Sequence, residues 1–193
     1  AISNYTQFQQ TIIDSSGIEF PVIYNVFRTD SLIAFQGTMQ LPEAIYFFSD
    51  VFGSYPFKNE KYGMTQLGFY GAIENQTNTI QNTLNTSWYM VSVHELSHMW
   101  FGDMITCSNW HHGWLNEGFA TYSEALYQEH VAGFNSYKSY LSYYKYLSGG
   151  TLYLQNIDDP FQIFVEIIYS KGAWVLHMLR WEGGDSTFFN ILR

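Results

Sequence analysis

The sequence predicts an α+β chain: a small amino-terminal mixed sheet followed by a mainly helical part. Three observations carry this. Strand-like runs broken by turn residues crowd into residues 1–82, whereas helical apolar spacing dominates residues 83–193. The 193 residues are 47% hydrophobic, enough to build one real core and too apolar for a disordered chain. No internal repeat, low-complexity tract or linker divides the chain, so residues 1–193 read as a single domain.

The elements follow in order. Residues 5–13 and 18–27 read as strands around the turn-like "DSSG". Pro42 suits the first turn of a helix that runs to about Phe52 and stops at Gly53. Residues 62–70 and 72–80 read as extended, joined through Gly71. Thr86 or Ser87 is placed to cap a helix carrying "HELSH" as far as Gly102. "CSNWHHG" reads as a loop, residues 114–130 and 135–147 as helices, and "SGG" at 148–150 as a break. Helical periodicity returns over 163–182, and Asp185 is placed to cap a last helix.

Composition narrows the function. A net charge of −9, from 8 basic and 17 acidic residues, argues against a nucleic-acid partner and suits cationic ligands. Aromatic residues make up 20%, which reads as an aromatic-packed core. Cys107 is the only cysteine, which rules out an internal disulfide and a cysteine-built zinc site. No apolar run reaches the length of a membrane span. The chain begins at Ala1 without an initiator Met, and so reads as a piece of something longer. Its Asn- and Tyr-rich composition leans toward a secreted or cell-envelope bacterial protein.

The chemistry centres on "SVHELSHMWFG", residues 92–102. On a helix, His94 and His98 project from nearly the same face, so both imidazoles can reach one ion. Glu95 leans to the adjacent side, where a carboxylate can work on water without being a ligand. A metzincin would need Gly at 101 and His at 104; Phe101 and Met104 stand there instead. His111 and His112 read as a loop pair at the mouth of a cleft. Glu117 is the better third ligand. It lies in "WLNEGFATYSEALY", where Leu115, Phe119, Tyr122 and Leu126 form an apolar face, and a carboxylate among such neighbours is costly to bury without a cation. Two His and one Glu leave the fourth position of a tetrahedral zinc open, the thermolysin-type arrangement.

HELSH, then eighteen residues, then Glu117 in "WLNEGFA" resembles the aminopeptidase N-like family of zinc peptidases, a branch of the thermolysin-like gluzincins. "HMWFGDMIT", "GAIEN" at 71–75, "YSKGAWVLHML" at 169–179 and "LPEAIYFFSDVFGSYPF" resemble further family segments. The resemblance implies a thermolysin-like catalytic domain with one zinc per chain on His94, His98 and Glu117. It implies Glu95 as general base and Tyr169 as donor to the developing oxyanion. Glu74 would bind the substrate's α-ammonium, Gly71 and Ala72 would lie along the peptide, and Asn75 would orient the loop. Glu124 resembles an outer residue that supports the metal ligands. Lys171 reads as structural or at the substrate's edge. The expected substrates are peptides with a free amino terminus.

Two departures stand out: Ile73 replaces the usual Met, a swap that conserves volume, and Gln76 stands where many members have Trp. The family's enzymes add an amino-terminal β domain and a carboxy-terminal helical domain, so this chain is expected to be the catalytic domain cut from such a protein. Three rival readings are a scaffold member that binds without turnover, a thermolysin-like endopeptidase and an epoxide hydrolase on the same domain.

Overall fold

The computed structural model describes residues 3–193, the side chain of residue 160 excepted. The chain forms two compact units that divide between Met99 and Trp100.

The first unit is built on a five-stranded mixed sheet of order β1-β2-β3-β5-β4. β1 (Tyr5–Ile13) and β2 (Glu19–Phe27) form an antiparallel hairpin with Phe8 opposite Tyr24. The turn is local chemistry: the Asp14 carboxylate accepts from the Ser16 and Ile18 amides, both at 2.8 Å, and Gly17 takes a φ of +82°. β2 alternates cleanly, with Phe20, Val22, Tyr24 and Val26 buried. β3 (Tyr62–Gln66) runs parallel to β2 and is buried throughout. Its polar groups are satisfied: the Tyr62 hydroxyl and Thr79 Oγ1 are 2.8 Å apart, and Gln66 Oε1 accepts from the Phe27 amide at 3.0 Å. β5 (Thr79–Gln81) pairs parallel to β3, and β4 (Ala72–Ile73) pairs antiparallel to β5 at the sheet edge.

Three α-helices complete this unit: α1 (Ser31–Thr38), α2 (Leu41–Phe52) and α3 (Tyr89–Ser97). α2 buries Leu41, Ala44, Ile45, Phe48 and Phe52, one helical stripe, and ends at Gly53 with a φ of +96°. Its Pro42 lies in the first turn as expected. α1 was not legible as a helix in the sequence. Only Ala34, Gly37 and Thr38 are buried in it, while Leu32, Ile33 and Phe35 are exposed, so it shows no apolar stripe. The expected strands 62–70 and 72–80 shrink to β3, β4 and β5. The chain turns at Leu67–Gly71, where Phe69 N donates to Leu67 O, and again at Thr77, whose φ is +59°.

The second unit is helical: α4 (Trp114–Ala132), α5 (Phe134–Tyr143) and α6 (Glu166–Leu192). α4 is its central helix, with residues 116–118 and 120–127 buried nearly all round, and both other helices pack on it. The predicted α5 overshoots by four residues. The segment before α6 folds back on it: Leu154 and Ile163 form an apolar cluster with Ile168 of α6, and Trp114, Val165 and Tyr169 pack against it. α6 breaks at Gly184 (φ +74°, ψ +159°), close to where one helix is expected to end and another to begin. Asp185 there pairs with Arg180 at 2.8 Å, and Arg180 also reaches Glu129 at 2.6 Å. Among the described residues, no helix is long and apolar enough to cross a membrane.

Candidate active site

In the first unit, the HELSH segment lies on α3. The helix starts later than expected: residues 86–88 form a 3-10 turn capped by Asn85, whose side chain accepts from the Trp88 amide at 3.1 Å, in place of Thr86 or Ser87. It also stops earlier, at Ser97, with His98 as its C-cap donating its amide to His94 O at 3.3 Å. The helical geometry still spans both histidines. Their rings lie 4.9 Å apart at 75°, His98 fully buried and His94 half-buried. Glu95 is buried between them in sequence. The backbone is pinned from the side: Ser97 Oγ donates to His94 O at 2.8 Å, and Ser92 Oγ donates to Gln81 Oε1 at 3.1 Å, tying α3 to β5.

The "GAIEN" stretch occupies the sheet edge beside this helix. Gly71 has a φ of +115°, which favours glycine, and its carbonyl accepts from Asn82 N at 3.0 Å. Ala72 opens β4, and Asn75 is exposed, its carbonyl accepting from Asn78 N at 2.8 Å. Glu74 turns inward, half-buried. One ligating atom each of Glu74, Glu95 and His98 lies within 4.8 Å of the others. Two carboxylates thus stand beside an imidazole.

In the second unit, Glu117 and Glu124 are both buried on α4. Glu124 accepts a hydrogen bond from the Tyr140 hydroxyl of α5. Burial first, and then the Glu124 charge, push the Tyr140 pKa far up, so the hydroxyl stays protonated and donates. Asn116 is buried beside Glu117, and its Oδ1 accepts from the Cys107 amide at 3.1 Å, anchoring the preceding loop. Tyr169 is half-buried in the first turn of α6.

The stretch expected to be a loop contains a 3-10 turn, Trp110–His112, capped by the Asn109 side chain, and both histidines of that turn meet Tyr153. The His111 ring stacks on Tyr153 at 4.8 Å and 4°, and its Nδ1–H donates to the Leu154 carbonyl. The His111 carbonyl in turn accepts from Leu154 N at 3.0 Å, and His112 meets Tyr153 edge-on. Lys171 donates to the Gly150 carbonyl at 2.5 Å, a structural tie between α6 and the loop before it.

One feature escaped the sequence reading. Gly118 of α4 and Gly172 of α6 meet backbone to backbone: a Cβ on Gly118 would lie 2.8 Å from Gly172 Cα. Glycine inside two helices, at about 1 kcal/mol each, was the available hint.

Two histidines at helical spacing are donors that zinc favours. The model of the peptidase family M1 domain matches residues 40–193. Aminopeptidase N of Streptomyces lividans is 34% identical over 110 residues, 50% of this chain and 13% of that protein. Aminopeptidase M1-A of Oryza sativa subsp. japonica is 33% identical over 114 residues, 51% of this chain and 12% of that protein. An M1 zinc metallopeptidase of Deinococcus radiodurans, solved with a Tyr-Ser-Ala substrate, superposes with a TM-score of 0.83 at 25% identity, covering 97% of this chain and 43% of that one. The chain thus spans about an eighth of the length of the curated relatives it matches. The ordered motifs, the mixed sheet followed by helices and the match over residues 40–193 lead to one conclusion: the chain belongs to peptidase family M1.

Proposed function

We propose that the chain is the catalytic domain of a zinc-dependent aminopeptidase, which removes the amino-terminal residue of peptides. His94, His98 and Glu117 would hold one zinc per chain. Bound there, zinc supplies Lewis acidity, making water a stronger acid and polarising the scissile carbonyl.

The chain's own residues do the rest. Glu95 takes the proton from the attacking water and returns it to the leaving amine. Tyr169 donates its hydroxyl to the carbonyl oxygen as negative charge develops, a charge the substrate lacks, so the bond favours the transition state. β4 is an edge strand of its sheet, and the backbone at its start, Gly71–Ala72, offers an extended peptide a strand to join. Glu74 ends that run and pairs with the α-ammonium, which sets the cut one residue from the terminus. Asn75 orients this loop, and Glu124, held by Tyr140, supports the ligand shell from outside.

The observation that carries this reading is the convergence of Glu74, Glu95 and His98 within 4.8 Å. An ammonium seated on Glu74 leaves room for little more than one residue before the base. An endopeptidase has no use for a carboxylate there, because an internal peptide bond brings no charge to meet it. The test is Glu95→Gln in the complete protein. Zinc content should stay at the wild-type level while kcat falls by roughly 10²- to 10⁴-fold, the usual worth of a general base. Wild-type turnover in that variant removes Glu95 from the role.

A further inference from the structure

We infer that the crossing of Gly118 and Gly172 positions the Tyr169 hydroxyl, so that this glycine pair governs turnover without touching substrate. The inference rests on the role proposed above for Tyr169.

The geometry is one of backbone against backbone. A Cβ built on Gly118 meets Gly172 Cα at 2.8 Å, Gly172 C at 3.0 Å and Ile168 O at 3.2 Å. A Cβ on Gly172 meets Gly118 Cα at 2.8 Å and Trp114 O at 3.6 Å. The first two turns of α4 therefore lie directly on the first two turns of α6. The three nearest atoms to each added Cβ are all backbone, which cannot swing aside as a side-chain end could. Nonbonded carbons settle near 3.5 Å or more, so one methyl group must part the helices here by about 0.7 Å, starting from 2.8 Å.

Tyr169 stands one helical turn before Gly172, about 4.5 Å along the axis, and positions three apart share a face. It is half-buried against the cluster of Leu154, Ile163 and Ile168, the last of which is fully buried. A rigid helix passes a displacement at Gly172 on to Tyr169 almost undiminished. Misplacing a reacting group by about 1 Å can cost around 10²-fold in rate. On the α4 side, Gly118 directly follows Glu117. The crossing thus ties the helix that carries the buried carboxylate to the helix that carries the tyrosine.

The test compares Tyr169→Phe, Gly172→Ala and the double variant in the complete protein, with kcat, KM, zinc content and melting temperature measured for each. Tyr169→Phe should lower kcat on the order of 10²-fold, the worth of one oxyanion donor. Gly172→Ala should lower kcat roughly tenfold or more, with KM and zinc content unchanged. In the Tyr169→Phe background, Gly172→Ala should cost less than about threefold further, because the hydroxyl it misplaces is already gone. A purely structural role for the glycine would show the same loss in both backgrounds, and that result overturns the inference. So does a folded Gly172→Ala variant with wild-type kcat. If Tyr169→Phe alone keeps wild-type kcat, the role of Tyr169 fails, and the failure lies in that reading and not in the crossing. Should Gly172→Ala not fold, Ile168→Val decides. It trims the side-chain packing against Tyr169 without widening the crossing, and its kcat should stay within about threefold of wild type; any deeper fall would show that side-chain packing, and not the crossing, sets the tyrosine, and overturns the inference.

Discussion

Glu74→Gln removes one charge and keeps the shape of the side chain. Glu74 sits half-buried, within 4.8 Å of ligating atoms on Glu95 and His98. An ammonium about 4 Å from its carboxylate gains about 4 kcal/mol at an effective dielectric near 20. Half-burial lets water screen part of this, and losing one partner of a well-buried charge pair costs about 2–5 kcal/mol. About 2–3 kcal/mol is therefore at stake, which is roughly 30- to 150-fold in kcat/KM. The assay follows hydrolysis of an aminoacyl amide with a free amino terminus, beside the same compound acetylated. The wild-type protein should cleave the first and ignore the second. Glu74→Gln should lose the stated factor on the free amine while keeping its zinc. A kcat/KM within threefold of wild type on the free amine would refute the exopeptidase role of this residue.

Other predictions concern the frame around the site. Gly37 of α1 packs so closely that an added Cβ would lie 2.0 Å from Leu84 O, so Gly37→Ala should cost about 3 kcal/mol or more in chemical denaturation. Gly183 and Gly184 should respond with opposite signs. Gly183 is helical and unobstructed, so Gly183→Ala gains about 0.5–1 kcal/mol, whereas Gly184→Ala loses about 1–3 kcal/mol because its φ is +74° and its ψ +159°. The Lys58 ammonium, 2.7 Å away, and the Ser16 hydroxyl hold the Asp14 carboxyl well below the usual carboxylate range. A depressed folded pKa gives stability that is present above the unfolded value near 3.9 and lost as pH falls through the folded one. The melting-temperature gap between wild type and Asp14→Asn should therefore be open at pH 7 and narrow steadily below about pH 4.

What could be read from the sequence was whatever is local or chemical. The hairpin was legible because Asp14, Ser16 and Gly17 encode the turn by themselves. α2 was legible from Pro42 at its start and Gly53 past its end, and the His94–His98 pair because four residues make about one helical turn. Glu117 stood out as a carboxylate in apolar company, and it is buried. α1 stayed hidden because its inward face is made of Ala34, Gly37 and Thr38, small residues that carry no apolar period. The stretch from Tyr62 to Gln81 looked like two long strands because aromatic and β-branched residues recur through it. Turns at Leu67–Gly71 and at Thr77 cut it into three short ones. The Gly118–Gly172 crossing depends on two helices 54 positions apart in the chain, a tertiary fact that no local pattern records.

The most direct test of the central claim is a metal analysis of the complete protein, coupled to hydrolysis of free and acetylated aminoacyl amides. The account predicts one zinc per chain, cleavage of the free compound only, and loss of that cleavage on chelation with recovery when zinc is returned. A protein that holds no zinc, or that cleaves both compounds alike, would contradict it.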